Sequence, residues 1–363
     1  MKTQLLAFAT IISLFLAPLA VAQFKPLMIY GVSIGEERVA AVKFYDRDGE
    51  RVLEQVQSEP LGARMSAITY LSRSKMLYMG AKDGSGFVYR VKEDGTIELV
   101  KKKKFKSGYC FLTPDRAGKF LLGASYESGN FDVYRLDENG LPAELTASRN
   151  EDKNRAHAVG ISPDNKAVYL PFVKQNNSLH QYRFDPDTGK LEPYPKPTAD
   201  VGEGAGPRHV VTHPNKPFLY FSNEQQLGIS VYKVDDDGTL DFMGISGAPD
   251  TPPAKGLSGS DIVITPDGRF VYSGLRGKPA DGVAGYAVQG DGSLKPLGKT
   301  AADSIPWALG MSPHGDRLFV SASSAGTLTA FKIRDDGSLE KEATLKLGKD
   351  FWDILVLDVG AGL

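Results

Sequence analysis

The stretch GFVYRVKEDGTIELV, Gly86 to Val100, decides how the chain folds. An alternating run from Phe87 to Val91 meets Glu93-Asp94-Gly95, and a second run starts at Ile97. Alternation sends successive side chains to opposite faces of a strand, and Asp-Gly tolerates the positive φ angles that a tight hairpin needs. The same punctuation recurs as DRDGE, DENGL, PDTGK, DDDGT, QGDGS and RDDGS, with glycines at 49, 95, 140, 189, 238, 292 and 337. The spacing is about 48 residues, the period of a propeller blade.

Working outward, an alternating strand precedes each of these turns, as in AVKFY, FDVYRL, HQYRF, SVYKV and TAFKI. Further upstream a second turn recurs, in TPDRAGKF, SPDNKAV, HPNKPF, TPDGRF and SPHGDRL, between two short apolar runs. Each repeat therefore reads as four strands, a to d, and no sustained helical period is present. The first repeat, from PLMIYGVS, holds only three strands, and FWDILVLDV is left over at the far end. The expected fold is all-β: a seven-bladed propeller of four antiparallel strands per blade, its ring closed by the C-terminal strand completing blade 1. Closure pairs an edge that an open array would expose.

The chain starts with Met1-Lys2-Thr3, an apolar run from Leu5 to Leu16, and Ala20-Val21-Ala22. This reads as a secretory signal over 1–22, leaving 23–363 as one propeller domain and placing the product in the periplasm or outside the cell. The run is too short to span a membrane and no second one follows, so stable membrane insertion is not expected. Lys and Arg number 43 against 44 Asp and Glu, a balance that gives no attraction to nucleic acid. Lys101 to Lys104 is the exception and reads as a solvated strand end. Cys110 stands alone, so no internal disulfide forms; within GYCFLTP it reads as a buried, inert thiol.

If strand a lines the channel and runs downward, residues just before a and just after b share the upper face. That rule collects His157 and Arg208 before strands a of blades 4 and 5, Glu224 after strand b of blade 5, and Arg276 after strand b of blade 6. His213 and His314 fall in lower turns, His180 in strand c, and His209 is read as structural. At these residues the sequence resembles the seven-bladed lactonase propellers, which include bacterial 6-phosphogluconolactonases and fungal carboxymuconate-lactonising enzymes. The resemblance runs from about Leu27 to Val359 and rests on HAVGISPD, GPRHVVTHPNKPFLYFSNE and DIVITPDGRFVYSGLRG. It implies His157, Arg208, Glu224 and Arg276 as the catalytic set and, through ASYESGNFDVY, Tyr126 as a wall of the site. Two positions depart from the family pattern: Trp307 in IPWALGMSPHG, and Lys174 in PFVKQ where an acid is common. Both are expected at the mouth as substrate-binding residues.

Opening a lactone needs an activated water, stabilisation of the carbonyl oxyanion and a proton for the leaving alkoxide. Glu224 suits the first task and His157 the last, or the reverse, while the arginines suit the oxyanion or a substrate anion. Other motifs fail. GSLKPLGKT has one residue too many for a phosphate loop, VGEGAGPRH leads into a strand, DDDGT lacks calcium-loop ligands, and no His/Cys set has zinc spacing. No metal or cofactor is expected. The sequence points to hydrolysis of a small-molecule, gluconolactone-like sugar lactone. The alternatives are 6-phosphogluconolactone, muconate lactonisation, and a binding propeller without catalysis.

Overall fold

The computed structural model describes residues 24–358; the expected signal segment and its cleavage site after Ala22 lie outside the described residues. Seven four-stranded antiparallel sheets follow one another around a ring. Strand a of blade 1 is the C-terminal Phe351–Asp358, paired to strand b, Leu27–Ser33, from Leu27↔Asp358 to Ser33↔Phe351. The leftover strand thus closes the ring as the repeat count requires. Two short 3-10 turns are the only helical elements among the described residues, and no helix there is long and apolar enough to cross a membrane. The seven turn glycines between strands c and d all have positive φ, from +75° to +89°, which is why Asp-Gly or its equivalent stands in each.

The core lies between blades rather than within a single centre. In strand b of blade 1, Met28 and Tyr30 pack with Leu77 and Met79 of blade 2, whereas Leu27 and Ile29 pack with Phe319 and Ala330 of blade 7. Strict alternation feeds both neighbours, so the whole strand is buried. Each large side chain buried this way contributes about 1.5–3 kcal/mol.

A polar device joins neighbours at the lower face. Tyr30, Tyr78, Tyr169, Tyr220 and Tyr272 in strands b donate to the carbonyls of Gly95, Gly140, Gly238, Gly292 and Gly337, the turn glycine of the next blade. Leu122 in blade 3 and Phe319 in blade 7 stand at the same place without a hydroxyl. The outermost strands are polar. Lys101 to Lys104 end strand d of blade 2, Ile97–Lys104, largely exposed, where lysine discourages edge-to-edge pairing.

Candidate active site

What aims side chains at the channel is a repeated break in register. Strand a of blade 5, Pro207–Thr212, pairs Pro207↔Asn223 and then Val210↔Phe221, so Arg208 and His209 sit in a bulge. Similar shifts free Asp261 in blade 6, Trp307 in blade 7, Trp352 in blade 1 and Ser66 in blade 2. A bulged residue leaves the ladder and the strand bends, re-aiming its side chain. Arg208 and His209 therefore lie within the strand's first residues, not before it. His157 does precede its strand a, Gly160–Ile161, while Glu224 follows strand b, Phe218–Asn223, and Arg276 ends strand b of blade 6, Phe270–Arg276.

These side chains meet in one cavity of about 350 Å³ at the mouth, a volume suited to a small ligand. Glu224 Oε2 lies 3.5 Å from Arg208 Nε and 4.0 Å from His157 Nε2, and Oε1 lies 3.8 Å from Lys174 Nζ. Arg208 is 1% exposed. Tyr126 packs edge-on against His157, with Lys174 over its ring. Burial, helped by the charge of Arg208, pushes His157 well below the usual histidine range, so it is neutral at neutral pH. Burial and then Arg208 lower Arg276 to about 9, which leaves it charged. Lys174 and Ile305 hold positive φ, +61° each; for a β-branched residue this is strain stored beside a site.

The opposite wall comes from blades 7, 1 and 2. Trp307 and Trp352 stack 4.5 Å apart at 17°. Arg276 lies 4.2 Å over Trp307, and Lys82 lies 5.1 Å over Trp352. Asp353 accepts from the backbone N–H of Ile68 at 2.9 Å; burial, and then the charge of Asp261, push its carboxyl well above the usual range. Cys110 is a correction. It stands just before its strand, half-buried, and lines the cavity, with its sulfur 3.4 Å from the carbonyls of Ala124 and Ala156. Burial pushes the thiol up to about 12, so inertness follows from the lost thiolate.

Five buried polar atoms without a hydrogen-bond partner sit on residues of this cavity: His157 Nδ1, Arg208 Nε and Nη1, His209 Nε2 and Arg276 Nε. Buried donors are seldom left unpaired without a reason. His180, His213 and His314 lie away from the cavity: His180 against Phe172, His213 against the Gly268 turn, His314 bonded to Asp358. Sequence reasoning brought Tyr126, His157, Lys174, Arg208, Glu224, Arg276 and Trp307 here. It missed Ser66, Lys82, Ser258, Trp352 and Asp353, and, behind the cavity wall, Asp261. Extending the mouth rule to strands a of blades 1, 2 and 6 would have found all of them but Lys82. No group of three His, Cys, Asp or Glu among the described residues could hold a metal ion.

Residues 34–351 match the family described as lactonase, 7-bladed beta-propeller. A 6-phosphogluconolactonase of Cronobacter sakazakii is 30% identical over 278 residues, 74% of this chain and 80% of its own. One from an Enterobacter species is 27% identical, covering 83% and 90%. The periplasmic gluconolactonase PpgL of Pseudomonas aeruginosa superposes with a TM-score of 0.80 at 17% identity, over 92% of this chain and 99% of that one. The chain belongs to the seven-bladed β-propeller lactonase family.

Proposed function

We propose that this lactonase hydrolyses a gluconolactone-like sugar lactone to the open aldonic acid in the periplasm, with no metal in the reaction. The observation that carries the reading is the set of unpaired N–H groups on Arg208 and Arg276 in a small cavity beside a carboxylate and a neutral imidazole. Two fixed guanidinium groups suit the charge that develops on the lactone carbonyl oxygen, and partial exclusion of water strengthens them. Glu224 holds Arg208, Lys174 and His157 around one point and is the one carboxylate of the four. The stacked Trp307 and Trp352 fix the far wall. Export is supported by the leader-like N-terminal sequence, since free aldonolactones rather than sugar phosphates arise outside the cytoplasm.

A second reading, 6-phosphogluconolactone, is favoured by Lys82 and Lys174. With the arginines they make four cations on the cavity wall, against Glu224 and an Asp353 whose charged form burial disfavours. The test is acid release from glucono-1,5-lactone and from its 6-phosphate by the purified protein in chelator-treated buffer. Rates at the spontaneous background for both would overturn the assignment. A clear preference for either chooses between the readings.

A further inference from the structure

His209, set aside as structural from the sequence, is the most unusual group in the cavity. Its Nδ1 lies 2.7 Å from Asp261 Oδ1, a bond between the bulges of blades 5 and 6. Asp261 is fixed in turn: Oδ2 accepts from the backbone N–H of Leu309 in blade 7 at 2.9 Å, and Oδ1 from its own neighbour Ile262 at 2.8 Å. Three blades therefore hold one imidazole. A carboxylate that only accepts assigns the proton to Nδ1 and leaves a lone pair on Nε2. That Nε2 is buried and has no partner, while the ring borders the cavity and packs edge-on against His157 and Phe111. Glu224, by contrast, already directs both oxygens at cationic or imidazole neighbours.

Resting on the lactonase reading above, we infer that His209 is a catalytic residue of this site, the base that takes the proton of the attacking water, with Asp261 as its positioning residue. The groups facing it are Asp261 from blade 6, His157 from blade 4, and the guanidinium groups of Arg208 and Arg276. Burial and then Arg208 lower His209, against the pull of Asp261, so the ring rests neutral and able to accept. Burial works to raise Asp261, yet His209 and the backbone donor of Leu309 leave it below the usual range, ionised. This is the orienting arrangement that activates a base in unrelated hydrolases. In the step, water loses one proton to Nε2 as its oxygen bonds to the carbonyl carbon, and the carbonyl electron pair moves onto the oxygen. Collapse breaks the ring C–O bond, and the proton on Nε2 passes to the departing alkoxide. The imidazole is restored, and the new carboxylic acid ionises to solvent.

The experiment compares wild type, His209→Gln, His209→Ala, Asp261→Asn, Glu224→Gln and Glu224→Ala on the better of the two lactones, with melting curves for each. It is joined to NMR of ¹⁵N-histidine-labelled protein. Expected are a fall in kcat of about 10²–10⁴-fold in His209→Gln with KM little changed, partial rescue of His209→Ala by added imidazole, and an Nδ1-protonated histidine signal that Asp261→Asn abolishes. A merely structural histidine would not be rescued. Wild-type kcat in His209→Gln, or rescue by small bases confined to Glu224→Ala, overturns the inference and makes Glu224 the base. A wild type no faster than background overturns the lactonase reading itself, and the role of the dyad in it.

Discussion

Replacing Arg208 by Met separates chemistry from architecture. The guanidinium is 1% exposed, and its attraction to Glu224 at 3.5 Å is worth roughly 5 kcal/mol at an effective dielectric of about 20. Against this stand the desolvation of a buried cation, about several kcal/mol, and repulsion from the charge of Arg276, which shares the cavity. Its Nη1 finds no partner at all, at a cost of about 1–3 kcal/mol. The sum is close to zero or unfavourable, Lys174 at 3.8 Å still faces the Glu224 carboxylate left behind, and Met keeps most of the volume beside Trp307. Arg208→Met is therefore expected to melt within about 3 °C of wild type or slightly above it. Turnover should fall about 10²–10³-fold, as for loss of one oxyanion donor. Arg208→Lys, which keeps the charge without the fork, should fall between. The assays are lactone hydrolysis in a pH-stat with the spontaneous rate subtracted, and differential scanning fluorimetry. A large drop in melting temperature with unchanged turnover of the folded fraction would show that Arg208 is a strut of blade 5, and the reasoning would fail.

Lys82→Gln and Lys174→Gln should lower kcat/KM for the phosphorylated lactone about tenfold or more while sparing the neutral one; equal losses on both would remove the lysines from substrate choice. Asp353→Asn tests the burial of an acid whose charged form burial disfavours. Because the folded carboxyl is raised above its unfolded value of 3.8, wild-type stability falls as pH rises from that value toward the folded one. The variant should melt higher at neutral pH, with the difference vanishing below about pH 4. Trp307→Ala removes the plate over which Arg276 lies at 4.2 Å and should raise KM more than Trp307→Phe, measured on the same substrate. Tyr169→Phe, which orphans the Gly238 carbonyl, should cost about 1–3 kcal/mol in denaturant unfolding with kcat untouched.

The architecture was legible because its punctuation is local. A turn needing positive φ admits few residues, and Gly95 and its six counterparts announce it in single letters. The convergence of His157, Arg208, Glu224 and Arg276 followed from chain direction alone, since strands a and b alternate down and up. The His209–Asp261 bond was not legible. Its partners stand 52 residues apart, about one repeat, and which bulge faces which neighbour depends on blade packing, not on either segment. Asp353 and Trp352 were hidden for a simpler reason: their strand was counted for closing the ring and not for what its upper end carries. The same holds for Cys110, whose apolar surroundings matched a sealed thiol while the chain had not yet entered the sheet.

The register breaks at the channel rim separate two kinds of inheritance. A residue inside a ladder answers to its partner across the strand, and changing it disturbs the blade; Trp307 and Trp352 answer to no such partner. Replacing them alters what the cavity admits while the ring stays as it was. New lactone preferences should thus be reachable by single exchanges at those two places, in a molecule whose melting temperature barely notices.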